Sequence, residues 1–272
     1  MYSINNPVPS AFVCCPFILL KEKFWDKIIS LKINPEIGIT NKVLDEYFII
    51  DFLEVAEMLK ENGLVATIHA PFWDLSIGAL DPLVRDVTKK RLLKTLEVAS
   101  IFNAKSMVIH TGFDTWHYLN HEESWMRNAI HTLKELVDIA ERLGILLVLE
   151  NVFEPGPEIH LRIFEQIRSP YLGFCLDVGH QNVFAAKGLS FWLESLGPWL
   201  KQLHLHDNHG RKDEHLRLGS AGVDFDFLFN WLKQNSIVPI MTVEAHKEED
   251  VLPSLNTLAQ YLKHYELEAA SF

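Results

Sequence analysis

Cysteine is scarce: the chain has three in 272 residues. An odd, small number builds no disulfide framework and fits a reducing compartment, so a cytoplasmic location is expected. Also missing is any run approaching the ~20 apolar residues needed to span a bilayer, so no membrane association is expected. The apolar stretch from Ala11 to Leu20 is broken by Pro16, with neither the basic flank nor the small-residue cleavage site of a secretory signal. Bases are outnumbered, 25 Lys and Arg against 36 Asp and Glu, for a net charge of −11. Apart from Lys89-Lys90-Arg91 no basic block stands out. That balance counts against nucleic acid as a partner, because phosphate neutralisation supplies much of such affinity. No GxGxxG or GxxxxGKS/T loop follows an apolar run, which removes the main support for a nucleotide-binding fold.

What is present is 48% hydrophobic and 22% charged residues, enough for a sizeable globular core. Short apolar runs alternate with helix-length periodic segments. Strands are expected at Ala11 to Phe17, Glu36 to Ile39, Val65 to His69, Ser106 to His110, Ile145 to Glu150, Leu172 to Asp177, Lys201 to His206 and Pro239 to Glu244. Helices are expected near Glu22 to Ser30, Ile50 to Asn62, Pro82 to Asn103, Glu122 to Leu143 and Glu158 to Ile167. Further ones are expected through Phe191 and Trp192, over Phe225 to Gln234, and over Asp250 to His264. Asp81 is a natural N-cap before Pro82, and Gly63 and Gly144 are natural stops. Eight strand–helix units imply a parallel sheet, and in a chain near the usual size of about 250 residues they favour closure into a single (β/α)8 TIM barrel spanning residues 1–272. The polar segment from Asn208 to Asp224 is the least regular, and loops beyond the carboxyl ends of barrel strands build active sites.

Nine potential metal ligands stand at or just beyond the ends of six consecutive strands: His69, His110, Glu150, Asp177, His180, His204, Asp213, His215 and Glu244. Unpaired charge at such positions is costly to bury, so the set is hard to explain as structure alone. Glu150, Asp177, His204 and Glu244 offer three carboxylates and one imidazole, which suits Mn²⁺, Mg²⁺, Co²⁺ or Zn²⁺. The other five add four imidazoles and a carboxylate, leaving room for one to three ions and tilting the choice toward Zn²⁺, Mn²⁺ or Fe²⁺, with zinc or manganese favoured. Gly179, in Asp177-Val-Gly-His180, is expected to permit a tight turn that points both ligands into one cavity. In an extended loop Asp213 and His215 would share a face. His206 shares a face with His204 and is a candidate ligand, substrate contact or supporting partner, whereas Asp207 would orient the loop. Phe72 and Trp73 could wall a sugar pocket, and Arg217 could bind an anionic group. Cys14 and Cys15 would face opposite sides of their strand.

The strings HAPF, HTG, LENVFE, LDVGH, LHLHDNHG followed by DEHLRLGSAGVDF, and TVEAH resemble the xylose isomerase-like barrel superfamily over strands three to eight. That superfamily includes sugar and sugar-phosphate isomerases and epimerases and the endonuclease IV-like repair enzymes. Resemblance to the isomerase branch implies that Glu150, Asp177, His204 and Glu244 hold one divalent ion and that the two glutamates, Glu150 and Glu244, are catalytic, moving a proton through a metal-stabilised enediolate of a carbohydrate-like substrate. Resemblance to the endonuclease branch implies instead that all nine residues hold a trinuclear cluster for phosphodiester hydrolysis. The acidic balance favours the isomerase. Nothing in the sequence specifies an oligomeric state.

Overall fold

The computed structural model describes residues 6–8 and 10–268. Its eight strands are β1 (Phe12–Pro16), β2 (Asn34–Gly38), β3 (Thr67–His69), β4 (Ser106–His110), β5 (Leu146–Glu150), β6 (Leu172–Asp177), β7 (Leu200–Leu205) and β8 (Ile240–Val243). They pair in chain order and close into a barrel. Every pairing is parallel, and β1 completes the ring against β8 through Phe12↔Thr242 and Val13↔Val243.

The helices outside the ring follow the local signals. Helix Pro82–Ile101 starts where the Asp81 carboxylate accepts the Leu83 N–H at 2.7 Å, with proline in its first turn. Helix Glu122–Leu143 buries Trp125, Leu133 and Leu136 along one side and stops at Gly144, whose φ of 70° is left-handed. Several short helices fall where loops are expected, two of them after β2 and β6. Asn41–Glu46 is capped by Thr40, and Val178–Phe184 follows β6 without a connector. In the second case Asp177 ends the strand and also caps the helix, its carboxylate accepting the His180 N–H at 2.6 Å. One residue doing both leaves no loop signal in the sequence.

The two-residue period of a strand sorts side chains onto two sides of the barrel wall. Ile37, Ile68, Met107, Leu147, Leu176, Leu203 and Met241 belong to the main apolar core, packed with the helices. Their alternates lie inside the ring. Val108, Val148 and Cys175 form a separate apolar cluster there. Glu36, Thr67, Ser106, Gln202, His204 and Thr242 are buried polar side chains. Cys15 joins the outer core, while Cys14 lines the cavity at the mouth. Among the described residues no helix is long and apolar enough to cross a membrane.

Candidate metal centre

The same alternation that hides Ile109 and Leu149 in the core turns the next residues, His110 and Glu150, to the mouth, where a strand's last side chain meets the cavity. Glu150 is almost wholly buried and draws four imidazoles around it. Its Oε2 lies 3.2 Å from His69 Nε2, 3.1 Å from His110 Nε2 and 3.4 Å from His204 Nδ1, and its Oε1 lies 3.1 Å from His180 Nδ1. His204 Nδ1 also sits 3.1 Å from Glu244 Oε1 and 3.9 Å from Asp177 Oδ2. Asp213 Oδ2 bridges His180 Nε2 at 3.3 Å and His215 Nε2 at 3.1 Å. All nine residues singled out from the sequence thus stand in one connected cluster at the carboxyl ends of the strands.

The donors fit divalent ions. Asp177 Oδ2 and His204 Nδ1 are buried and have no hydrogen-bond partner, although buried polar atoms are normally satisfied. In His69, His180 and His215 the Nδ1 faces a backbone carbonyl, of Ala70 at 2.9 Å, Asn151 at 3.1 Å and Glu244 at 3.2 Å. An N–H donated there leaves the Nε2 lone pair for a metal, the orientation that ligating histidines ordinarily have. Potential ligand atoms gather in groups within 4.8 Å of one another: His69, His110 and Glu150; Glu150, Asp177 and His180; and His180, His206, Asp213 and His215.

Within the cluster, imidazoles and carboxylates shift one another's protonation. Burial alone would raise the Glu150 carboxyl, but the imidazoles, His110 foremost, hold it well below the usual range. Burial pulls His180 and His204 down, yet the surrounding acids outweigh it and hold both well above their ordinary value, Asp177 at His180 and Glu244 with Glu36 at His204. His110 is the exception, lowered by burial. A raised imidazole stabilises the fold below its unfolded value of 6.5 and loses that contribution as pH rises through the folded value. A lowered carboxyl stabilises above its unfolded value of 4.5 and loses the contribution as pH falls through the folded value. Both contributions are therefore complete between 4.5 and 6.5. Bound metal should reverse the alkaline limb, because protons and metal compete for the same ligands. Thermal unfolding at about pH 5.5 and about pH 8.5 is expected to show a lower midpoint at the higher pH with chelator and a higher midpoint with zinc. Parallel shifts in the two series would contradict the assignment.

Several neighbours of the cluster come from outside the strand-end pattern. Glu36, an acid within β2, is fully buried with its Oε1 2.9 Å from His204 Nε2. Its only sequence signal is a carboxylate between Pro35 and Ile37 where a buried strand is expected. His246 stacks on His215 at 3.7 Å between ring centroids, and His215 stacks on His206 at 3.8 Å. Asp207 orients the loop after β7, its carboxylate accepting the N–H groups of Asn208, Ala221, Gly222 and Val223. Gly179 serves a purpose other than the expected turn: a Cβ there would lie 2.0 Å from His206 Cε1, so its small size admits that ring. His215, not Gly179, holds the left-handed backbone, with φ of 46°.

A cavity of ≈ 920 Å³ opens above the cluster. Glu150, Glu244, His180 and Asp213 line its polar side, and Phe72, Trp73, Phe113, Phe153 and Phe184 line an aromatic side. The Phe72 ring stacks on His110 at 4.4 Å, while Trp73 is largely exposed at the rim. No lysine or arginine is among the residues that line the cavity. Arg217 is exposed and lies outside that lining. His206 is buried behind it, 3.0 Å from Asp177 Oδ1.

Residues 39–265 match the model of the family described as xylose isomerase-like TIM barrel. An uncharacterised protein of Methanocaldococcus jannaschii is 31% identical over 204 residues, which are 72% of this chain and 69% of that protein. A probable endonuclease 4 of Mycoplasma mobile is 26% identical over 215 residues, 72% of this chain and 71% of its own. The crystal structure of a D-tagatose 3-epimerase-like protein superposes with a TM-score of 0.81 at 25% identity, covering 94% of this chain and 98% of the other.

Proposed function

The chain belongs to the xylose isomerase-like TIM barrel family, and on that premise we propose that it is a divalent-metal-dependent isomerase or epimerase of a neutral, carbohydrate-like small molecule. The observation that carries this reading is the cavity. At ≈ 920 Å³ it is of ligand size, and it offers two glutamates and an aromatic wall but no lysine or arginine. A phosphate ester or a DNA backbone would meet no lysine or arginine there, only whatever ions the cluster holds. Aromatic faces suit the C–H face of a sugar, and the structural likeness to a D-tagatose 3-epimerase-like protein points the same way.

Glu150, Asp177, His204 and Glu244 would hold one ion, with His69, His110, His180, Asp213 and His215 able to hold more; zinc or manganese suits the imidazole-rich set. A divalent ion, when bound, polarises the carbonyl and hydroxyl oxygens of a substrate and acidifies the C–H between them. The chain's own residues then divide the work. Glu150 on β5 and Glu244 just beyond β8 reach the cavity from strands three apart around the ring. One carboxylate oxygen takes the proton from the carbon, and the same or the other glutamate returns it to the neighbouring carbon or the opposite face. Phe72 and Trp73 pack the substrate's apolar face and exclude water. Arg217 has no part in this reading, nor has direct substrate contact by His206.

Incubating the zinc- or manganese-loaded protein with neutral ketoses in deuterium oxide should place deuterium on the carbon next to the carbonyl. The phosphorylated counterparts should be turned over at least about 10-fold less efficiently, the difference that one unpaired charge contact readily makes. An abasic duplex should stay intact. Preference for the phosphate ester, or cleavage of the duplex without any exchange, would overturn the reading.

A further inference from the structure

We infer that Glu36, inside the barrel, is the positioning residue that makes His204 a metal ligand, by fixing which ring nitrogen carries the proton. The inference rests on the reading above that His204 binds a divalent ion. Glu36 Oε1 lies 2.9 Å from His204 Nε2. Its Oε2 accepts from Thr67 Oγ1 at 2.9 Å, Gln202 Nε2 at 2.5 Å and Thr242 Oγ1 at 3.0 Å. The amide of Gln202 is oriented in turn, because its Oε1 accepts from the Ser106 hydroxyl at 2.6 Å. The residues come from β2, β3, β4, β7 and β8, so the network crosses the ring and has no solvent to correct an error.

A neutral imidazole carries one N–H. Two groups face Nε2, the Glu36 carboxylate at 2.9 Å and, farther off, the Gln202 amide nitrogen at 3.3 Å, which already donates to Glu36 Oε2. The nearer, acceptor-only carboxylate draws the proton to Nε2 and leaves the Nδ1 lone pair directed to the mouth. That is where Nδ1 points, making no hydrogen bond and facing Glu244, Glu150 and Asp177. An amide at position 36 reverses the arrangement. To keep the Gln202 N–H satisfied it must put its carbonyl where Oε2 was, which presents its NH₂ to His204 Nε2. His204 is then driven to carry its proton on Nδ1, where an N–H cannot ligate. Moving the carboxylate across the pair corrects this: with Glu36→Gln and Gln202→Glu together, the amide donates to position 202 and turns its carbonyl back to Nε2–H.

Wild type, Glu36→Gln and the double variant Glu36→Gln/Gln202→Glu would be loaded with zinc and titrated with a chelator, and the zinc-loaded forms examined by ¹⁵N spectra of the labelled histidines. Glu36→Gln is expected to bind zinc at the His204 site about 10–100-fold more weakly, as loss of a ligand's orienting partner ordinarily does. It should retain fewer ions per chain than wild type, and the double variant should recover most of the loss. In the zinc-loaded wild type the His204 proton should be on Nε2. A proton on Nδ1 in the wild type overturns the inference without recourse to any variant, as does a folded Glu36→Gln protein that binds zinc like wild type, or a folded double variant no better than Glu36→Gln. A wild type that takes up no divalent ion removes the metal reading and this inference with it, whereas normal uptake by wild type and Glu36→Gln alike overturns this inference alone.

Discussion

Glu150→Gln is expected to abolish the chemistry and to unfold more easily even without metal. Glu150 takes part in two of the ligand groups, and its carboxylate faces His69, His110, His180 and His204. A glutamine keeps the shape but removes the charge and one acceptor. Zinc retained after loading should therefore fall to what the His180, Asp213 and His215 group can hold, and exchange of the substrate proton should drop by about 10²–10⁴-fold or more, the range that a positioned base contributes. Removing one partner from a buried ionic cluster costs about 3–5 kcal/mol. The full penalty should appear in the metal-free protein near pH 6, where the raised imidazoles are charged, and shrink toward alkaline pH, where they can shed their protons. Denaturant midpoints at the two pH values and the zinc content after dialysis test both halves. A variant with wild-type zinc content and an unchanged midpoint would refute the central place given to Glu150.

Asp207→Ala should separate the two loop candidates, Asp213 and His215, from those held by the strands. The buried Asp207 carboxylate accepts four backbone N–H groups, from Asn208 at 2.9 Å, Ala221 at 2.7 Å, Gly222 at 3.0 Å and Val223 at 3.0 Å. It thereby ties the two ends of the loop that presents Asp213 and His215. Hydrogen bonds to a charged group contribute about 1.5–3 kcal/mol each, and since the freed amides can reach water the total loss should be nearer about 3 kcal/mol than their sum. The expected result is a loop whose amides at 221–223 lose protection from hydrogen exchange, with one ion's worth of affinity gone. Glu150, Asp177, His204 and Glu244, held by the strands, should still bind metal. Unchanged protection at 221–223 would show that the loop is held by other contacts, such as the backbone pairing of Asp207 with Leu216.

These two residues also mark how far the sequence could be read. Glu150 was legible because a buried parallel strand is an almost continuous apolar run, and the first carboxylate after Leu146-Leu-Val-Leu149 must lie where the strand ends. The same reasoning located His69, His110, Asp177, His204 and Glu244. Asp207 was legible by its parity against His204 and His206. Helix boundaries were mostly within a few residues because caps such as Asp81 and stops such as Gly144 act locally. The helix Val178–Phe184 was not legible, since Asp177 ends a strand and begins that helix without an intervening turn.

By itself, the order of residues determined that eight strands would alternate with helices and that nine candidate ligands would stand at or just beyond strand ends. Both follow from local periodicity, which needs no knowledge of distant neighbours. Only closure of the ring decided the rest. It brought Glu36 beneath His204 from a strand 168 residues earlier in the chain, by the difference of their numbers. It also packed His206 behind Asp177 through the space left at Gly179 and kept every lysine and arginine out of the cavity lining. Hydrogen-bond direction and the desolvation of charge are set by whatever stands within a few ångströms, and across a barrel those neighbours are remote in sequence.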